Sequence, residues 1–356
     1  MGNRLSPITH KVTEVGTSKN GKLAYAACGM QGRRSQMEDA HLAVPDLFHD
    51  HHDHRLDGHA LFAVFDGHGG STAAKFAARN LMKILLEHKS IPNYINLMLN
   101  PTEQLGTTDK AQQAAGALKS AKKALLREIL EDTFIEIDRQ FLVAQMTAQK
   151  AAMDASEGSK SPGKFKDPGT TALVTLVTPD LVVCANAGDC RALMIQDENV
   201  FPSPLTTKNS IKAPPRKSSS FVELSEDHKP SDAKEESRIK KAGGYVFGGR
   251  LEDDLAVSRG FGDFRYKEEH VTLHGTCEKN KRTPKDQKVS PHPQIKFLPR
   301  KSKHKFLFLG CDGVFEQMKN DKVVRVVCHS LGHHGNDLEA ACAQVCVTNR
   351  AYSCTL

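Results

Sequence analysis

Two stretches of this chain end an apolar run on an Asp-Gly pair, and that repetition restricts the fold more than any other feature. In Leu61–Gly70, LFAVFDGHGG, five apolar residues are followed at once by Asp66, Gly67, His68 and two more glycines, and a helical pattern begins at Ser71. Phe306–Asp312, FLFLGCD, repeats the design, with Gly313 next and a helical pattern from Val314 to Ser330. Each reads as a buried strand ending in a carboxylate. A strand end is a rigid place for a metal ligand, and neighbouring glycines let a substrate oxygen approach the backbone closely. Asp66 as an ordinary turn residue would account for one stretch alone; recurrence favours the metal reading.

A third acidic group lies in RRSQMEDAHLAV, where Arg34 stands within five residues of Glu38 and Asp39. In an extended segment Arg34 and Glu38 share a side and Asp39 faces the other way. A guanidinium matches phosphate oxygens bidentately, although a surface ion pair is the bland alternative. Asp66, Asp312 and Glu38 are oxygen donors without Cys or His partners in their motifs, which favours magnesium or manganese over zinc. Two such ions could hold a bridging water and make hydroxide at neutral pH. Arg34 would then orient a phosphate, and His68 would protonate a leaving serine or threonine alkoxide. The chemistry so permitted is phosphomonoester hydrolysis without a covalent enzyme intermediate. A rival comes from Cys28 and Arg34, whose C-x5-R spacing would suit a thiolate phosphatase.

The remaining chain supplies the frame. Helical patterns cover Ser71–His88, Gln113–Met146 and Asp337–Tyr352, and Pro230 and Ser231 open another that stops at Gly243–Gly244. Asn93–Gln112 reads as irregular. Loops are expected at His49–His59, an exposed histidine-rich tract, and at Ala151–Asp167, Glu198–Ser220 and His270–His292. A Pro179–Asp180 turn joins two β-branched runs as a hairpin, and AGD before CRALM suggests a second with Asp189 at its tip. Ser258, Arg259 and Asp263, in LAVSRGFGDFRYK, are polar residues that a plain core strand would not need.

No stretch approaches the ~18 apolar residues of a spanning helix. Nine cysteines without a C-x-x-C pair disfavour a disulfide framework or zinc ribbon and favour a reducing compartment. A net charge of +7 without a run of interleaved aromatics gives no reason to expect nucleic-acid binding. MGNRLS at the start matches the N-myristoylation pattern on Gly2, with Arg4, Lys11, Lys19 and Lys22 a thin basic supplement. Residues 1–22 are therefore expected as a flexible arm, and the protein as cytoplasmic with peripheral membrane contact.

In order, RSQMEDAH, FAVFDGHGG, DPGTTALV, ANAGDCRAL, SEDHKP, LAVSRGFGDF and FLGCDGVFE resemble the metal-dependent serine/threonine protein phosphatases of type 2C, from about Leu23 to the C-terminus. The resemblance implies an α+β fold, a four-layer α-β-β-α sandwich of two antiparallel sheets flanked by helices, acting as a monomer on phosphoserine and phosphothreonine proteins. It also implies two Mn2+ or Mg2+ ions and a weaker third. Asp66 would bridge the two, the Gly67 carbonyl and Glu38 would serve one, Asp312 the other with Asp263 beside it, and Asp189 the third. Arg34 would hold phosphate, His68 act as the acid, Asp39 support the site by hydrogen bonding, and the stretch before Leu255 form a mobile flap. The family pattern continues to an Asp-Asn pair and a core strand, and residues 23–356 are expected to stop short of both, leaving a sheet edge. Glu316 stands where the family usually has aspartate, and Cys190 where it has serine. A pseudophosphatase or phosphoprotein-binding scaffold is the alternative implied by those departures.

Overall fold

The computed structural model describes residues 8–32, 34–51, 53–100, 108–155, 167–196, 221–275, 282–349 and 353–355. β4 (Ala60–Phe65) is buried at every residue, and its two faces enter different cores. Leu61, Ala63 and Phe65 pack toward helices, while Phe62 and Val64 pack toward a second sheet, as two-residue alternation demands. Its own sheet is antiparallel, in the order β14 (Gln294–Pro299), β8 (Leu181–Ala187), β7 (Ala172–Val177), β4 and β3 (Ala40–Val44). The facing sheet runs β1 (Ile8–Thr17), β2 (Ala24–Gly32), β16 (Ser353–Thr355), β15 (His304–Gly310), β9 (Arg191–Gln196) and β10 (Phe221–Glu223).

Helices cover both outer faces. α1 (Thr72–Leu86), α2 (Ile91–Leu99) and α3 (Thr108–Ala155) lie over the five-stranded sheet, with Leu126, Ile129, Leu130, Phe134 and Ile137 of α3 giving a buried stripe at helical spacing. α6 (Asp312–Phe315), α7 (Asn320–His333) and α8 (Leu338–Asn349) cover the other through Val314, Val323, Val327, Leu331 and Val345. The result is the four-layer sandwich that the resemblance implied. Around one end lie the short strands β5 (Gly67–His68), β6 (Gly169–Thr170) and β13 (Phe261–Gly262), the hairpin of β11 (Val246–Phe247) and β12 (Arg250–Leu251), and the helices α4 (Ala233–Lys241) and α5 (Glu269–His274). Among the described residues no helix is long and apolar enough to cross a membrane.

Several expectations need correction. Much of the expected N-terminal arm is β1, paired with β2 along its length, because its β-branched residues suit an edge strand and Thr13 and Glu14 find partners in Glu339 and Tyr25. Met1–Ser6, with the proposed acylation site at Gly2, lies outside the described residues, as does 197–220. β8 and β9 are not a hairpin: they belong to different sheets, and the chain crosses between them at Gly188, whose φ of +132° a side chain would resist. Part of Asn93–Gln112 is helical, since Ile91 and Tyr94 share a buried face of α2. The helical pattern after Asp312 is two helices, with Met318 buried where the chain turns between them. A strand also stands where none was expected: Ser353–Thr355 pairs with Ala27–Gly29 of β2 and with Leu309 and Gly310 of β15.

The histidine tract is likewise not uniformly exposed. His49, His51 and His54 are on the surface, but His59 is only 1% exposed, bonded to the Leu56 carbonyl at 2.7 Å and the Tyr94 hydroxyl at 2.8 Å. Burial pushes its pKa down to about 4. Between pH 6.5 and 4 the unfolded chain therefore binds a proton that the folded chain refuses, and stability falls as pH falls through that window. We expect this residue alone to remove about 3 kcal/mol from pH 7 to pH 4. Urea unfolding of the native chain and a His59→Gln variant across that range should show the steeper loss in the native chain; parallel curves would refute the assignment.

Candidate active site

The backbone of Asp66 is locked before its carboxylate is placed. Its carbonyl accepts from the Thr171 amide at 2.9 Å and the Thr170 hydroxyl at 3.0 Å, and its own amide donates to Thr171 Oγ1 at 3.2 Å. Asp312 arrives on the facing sheet, one residue past Cys311 at the end of β15. A carboxylate oxygen of Asp66, one of Asp312 and the Cys311 sulfur all lie within 4.8 Å of one another. Two strand-end aspartates from different sheets therefore share one site, as the repeated Asp-Gly design suggested.

The electrostatics there are lopsided. Burial comes first in driving the Asp66 carboxyl well above the ordinary range, and Asp39, Asp312 and Asp189 push it further. Asp189, held at the crossover between sheets, is ion-paired to Lys229 from the SEDHKP loop; burial and Asp312 still keep its pKa raised. Acids gathered so closely that Asp66 and Asp189 are both harder to ionise form a hard-cation site in chemical type, because oxygen donors of like charge are relieved by a divalent ion. The donor set fits magnesium or manganese.

These groups line a cleft of about 450 Å³ together with Arg34, Glu38, Gly67, Glu316 and Asp263. The expectation that Asp39 turns away from Arg34 and Glu38 fails. Residues 34–36 bend and β3 begins only at Ala40, so strand alternation does not apply across 34–39 and all three reach the cleft. Gly67 must be glycine, since a Cβ there would fall on the Glu38 carbonyl oxygen.

His68 meets Asp263 rather than standing alone. Its Nε2 lies 2.8 Å from each oxygen of that carboxylate, which is 2% exposed. Burial opposes charge on the ring, but the charge and hydrogen bond of Asp263 outweigh it and raise the His68 pKa. The pair closes because Gly169 has no side chain: a Cβ there would strike both partners. Asp263 sits in the left-handed region at φ +54°, held by a segment whose anchor is remote in sequence. Asp138, from the middle of α3, accepts from Lys267 Nζ at 2.7 and 2.8 Å and from the Gly262 amide at 2.9 Å. Nothing in the sequence marks Asp138, because an acid within a long amphipathic helix reads as a solvent-facing residue. Thr170 and Thr171 were visible in GTTALV, without a role.

Ser258 and Arg259 serve Glu235 on α4 and not the carboxylate cleft. Both donate to its carboxylate, at 2.7 Å and at 2.6 and 3.0 Å, and Arg238 adds a third charged contact. Burial opposes the Glu235 charge, yet these donors hold its pKa down to about 2. The stretch before Leu255 is a hairpin whose Gly248 and Gly249 both have positive φ. It lifts Phe247 to 69% exposure and brings Arg250 and Asp254 to the cleft. Cys28 is buried against the helices of the other face, where Cys346 and burial raise its thiol pKa far above neutrality. It does not line the cleft with Arg34, and the thiolate reading fails.

A four-layer sandwich whose acidic cleft suits divalent cations, with an arginine on its wall and a carboxylate-bound imidazole beside it, defines a metal-dependent hydrolase. The family model for protein phosphatase 2C matches residues 23–355, and the chain belongs to that family: it is a metal-dependent protein serine/threonine phosphatase. It is 32% identical over 344 residues to a probable protein phosphatase 2C 6 of Paramecium tetraurelia, covering 96% of this chain and 90% of that one. It is also 32% identical to a probable protein phosphatase 1N of Mus musculus, covering 93% of this chain and 62% of the mouse protein. The crystal structure of a serine-threonine phosphatase 2C from Toxoplasma gondii shares the fold, with a TM-score of 0.66 at 16% identity over 99% of this chain and 98% of that one. Relatives named as phosphatases along nearly the whole chain do not favour the scaffold alternative.

Replacing Asp138 by alanine leaves the Lys267 ammonium buried without its partner. The variant should lose roughly 3–5 kcal/mol of unfolding free energy in denaturant titration. A loss below about 1 kcal/mol would show that this pair does not anchor the segment carrying Asp263.

Proposed function

We propose that this chain hydrolyses phosphoserine and phosphothreonine monoesters of proteins with two Mn2+ or Mg2+ ions, a weaker third ion near Asp189, and no covalent enzyme intermediate. The observation that carries the proposal is the meeting of Asp66 and Asp312, from two sheets, in a cleft that also contains Arg34 and His68. Asp66, Asp312, Glu38 and the Gly67 carbonyl would hold the ions, with Asp263 and Glu316 at hand; divalent ions there supply Lewis acidity and an acidified water. Arg34 binds the phosphate by paired hydrogen bonds and orients it. Asp263 raises the His68 pKa against the opposing effect of burial, which favours the protonated ring that a departing alkoxide needs. Asp39 deepens the negative field around Asp66.

A thiolate route finds no support in the cysteines beside the acids. The Cys190 and Cys311 thiols near the acids are fully buried and pushed well above their ordinary pKa, which leaves negligible thiolate. Substrate contact falls to the β11–β12 hairpin, whose exposed Phe247 is paired in register with Arg250 of the cleft wall. A monomeric, cytoplasmic enzyme with peripheral membrane contact through an acyl group on Gly2 completes the proposal; MGNRLS and the buried free thiols support it.

Phosphate release from a phosphothreonine peptide should depend on manganese, stop on chelation and fall at least ~10³-fold in Asp66→Asn. Tight peptide binding by the native chain without turnover at saturating manganese would overturn the proposal. Phe247→Ala should raise KM roughly threefold or more with little change in kcat; an unchanged KM would remove the hairpin from substrate recognition.

A further inference from the structure

α7 carries Asp321, Arg325, His329 and His333 at successive steps of four, so these side chains form one row along the helix. Val323, Val327 and Leu331 bury the opposite side against the second sheet, and His329 and His333 are both exposed. Arg325 is tied back to Asp321 at 2.8 Å, which compensates its charge next to the histidines. His329 and His333 meet each other: their ring centroids are 4.2 Å apart, with the planes at 66°.

Two imidazoles four residues apart on a helix can hold one ion between them, the spacing that puts both ligands of an H-x-x-x-H helix on one face. An ion about 2.05 Å from one nitrogen of each ring sets the centroids about 4.5 Å apart when the two bonds meet at a right angle, and about 5 Å apart when they are tetrahedral. The observed separation is within a small side-chain rotation of either arrangement and nearer the first. Among the described residues neither ring is engaged by a hydrogen bond, whereas His49 and His54 of the histidine tract face Asp50 and Asp57. His333 is also the last residue of α7, where the final carbonyls of a helix favour a cation.

We propose that His329 and His333 form a binding site for a divalent transition ion of the copper, nickel and zinc class, with water in the remaining positions. Imidazole selects these ions over magnesium, calcium and manganese, the reverse of the oxygen-lined cleft. Cu2+ binds most tightly, because it leads the divalent series and takes right-angle nitrogen pairs. The clamp exists only while residues 329–333 are helical, so the ion binds the folded chain and not the unfolded one. Occupancy thereby stabilises the end of α7 and, through Leu331, its cover over the second sheet. The pair shares no residue with the acidic cleft, so the proposal does not depend on the phosphatase reading.

Histidine ring NMR, Cu2+ electron paramagnetic resonance and thermal unfolding of the full chain test the assignment, with magnesium in excess to occupy the acidic cleft. Substoichiometric Cu2+ should broaden the ring protons of His329 and His333 before those of the other histidines, and its resonance should show two nitrogen donors. At ten times its Kd, Cu2+ should raise Tm by roughly 2 °C; Zn2+ should do so at higher concentration, and further Mg2+ should not. His329→Gln and His333→Gln should each weaken Cu2+ at least ~10-fold, since a second donor on the same turn acts at high effective concentration, while the metal-free Tm stays near the native value. His334→Gln, one residue off the row, should leave binding unchanged. Other rings broadening first, a single nitrogen donor, indifference to both His329→Gln and His333→Gln, or a Kd above about 1 mM, which marks an adventitious ion only, would each overturn the proposal.

Discussion

Like charges crowded into a low-dielectric space set the terms for this molecule. Asp66, Asp39, Asp312 and Asp189 lie near enough for each of the last three to raise the pKa of the first, and Lys229 pairs with Asp189. A fold selected for stability alone would separate them, because like charges brought together away from bulk water repel strongly. Their convergence makes sense when cations are part of the working state, and everything near the cleft can be understood as holding the acids in place against their own repulsion.

That holding is done by backbone locks and remote anchors. Two threonines fix the Asp66 main chain on both sides. A buried ion pair between Asp138 and Lys267 ties α3 to the segment bearing Asp263, and the absent side chain of Gly169 lets His68 and Asp263 close. Glu235 gathers Arg238, Arg259 and Ser258 into a second buried network under the hairpin. Buried networks of this kind add little net stability but penalise every arrangement that leaves one member unpaired, which suits a site requiring one geometry.

The sandwich also decides where polarity can enter. Each sheet is apolar on both faces, so the gap between them is greasy along its length, and polarity enters only where strands end. At one end the terminating residues are aspartates; at the other they are lysines, arginine and histidine.

Local patterns determined much of this. Apolar runs closed by Asp-Gly, the helical stripes, the Pro179–Asp180 hairpin and the ordered motifs of the resemblance are properties of neighbouring residues, and they identified the strands, the fold and most of the acids. Tertiary structure alone decided what depends on contacts between distant parts of the chain. It placed Asp189 at a crossover between sheets instead of a hairpin tip, because β9 pairs with β15 and β10 and not with β8. It made Ile8–Thr17 a strand by offering β2 as a template, and gave Asp138 its role through Lys267, more than a hundred residues away. No periodicity records such partners, since a pairing energy between remote residues leaves no mark on the spacing of either one.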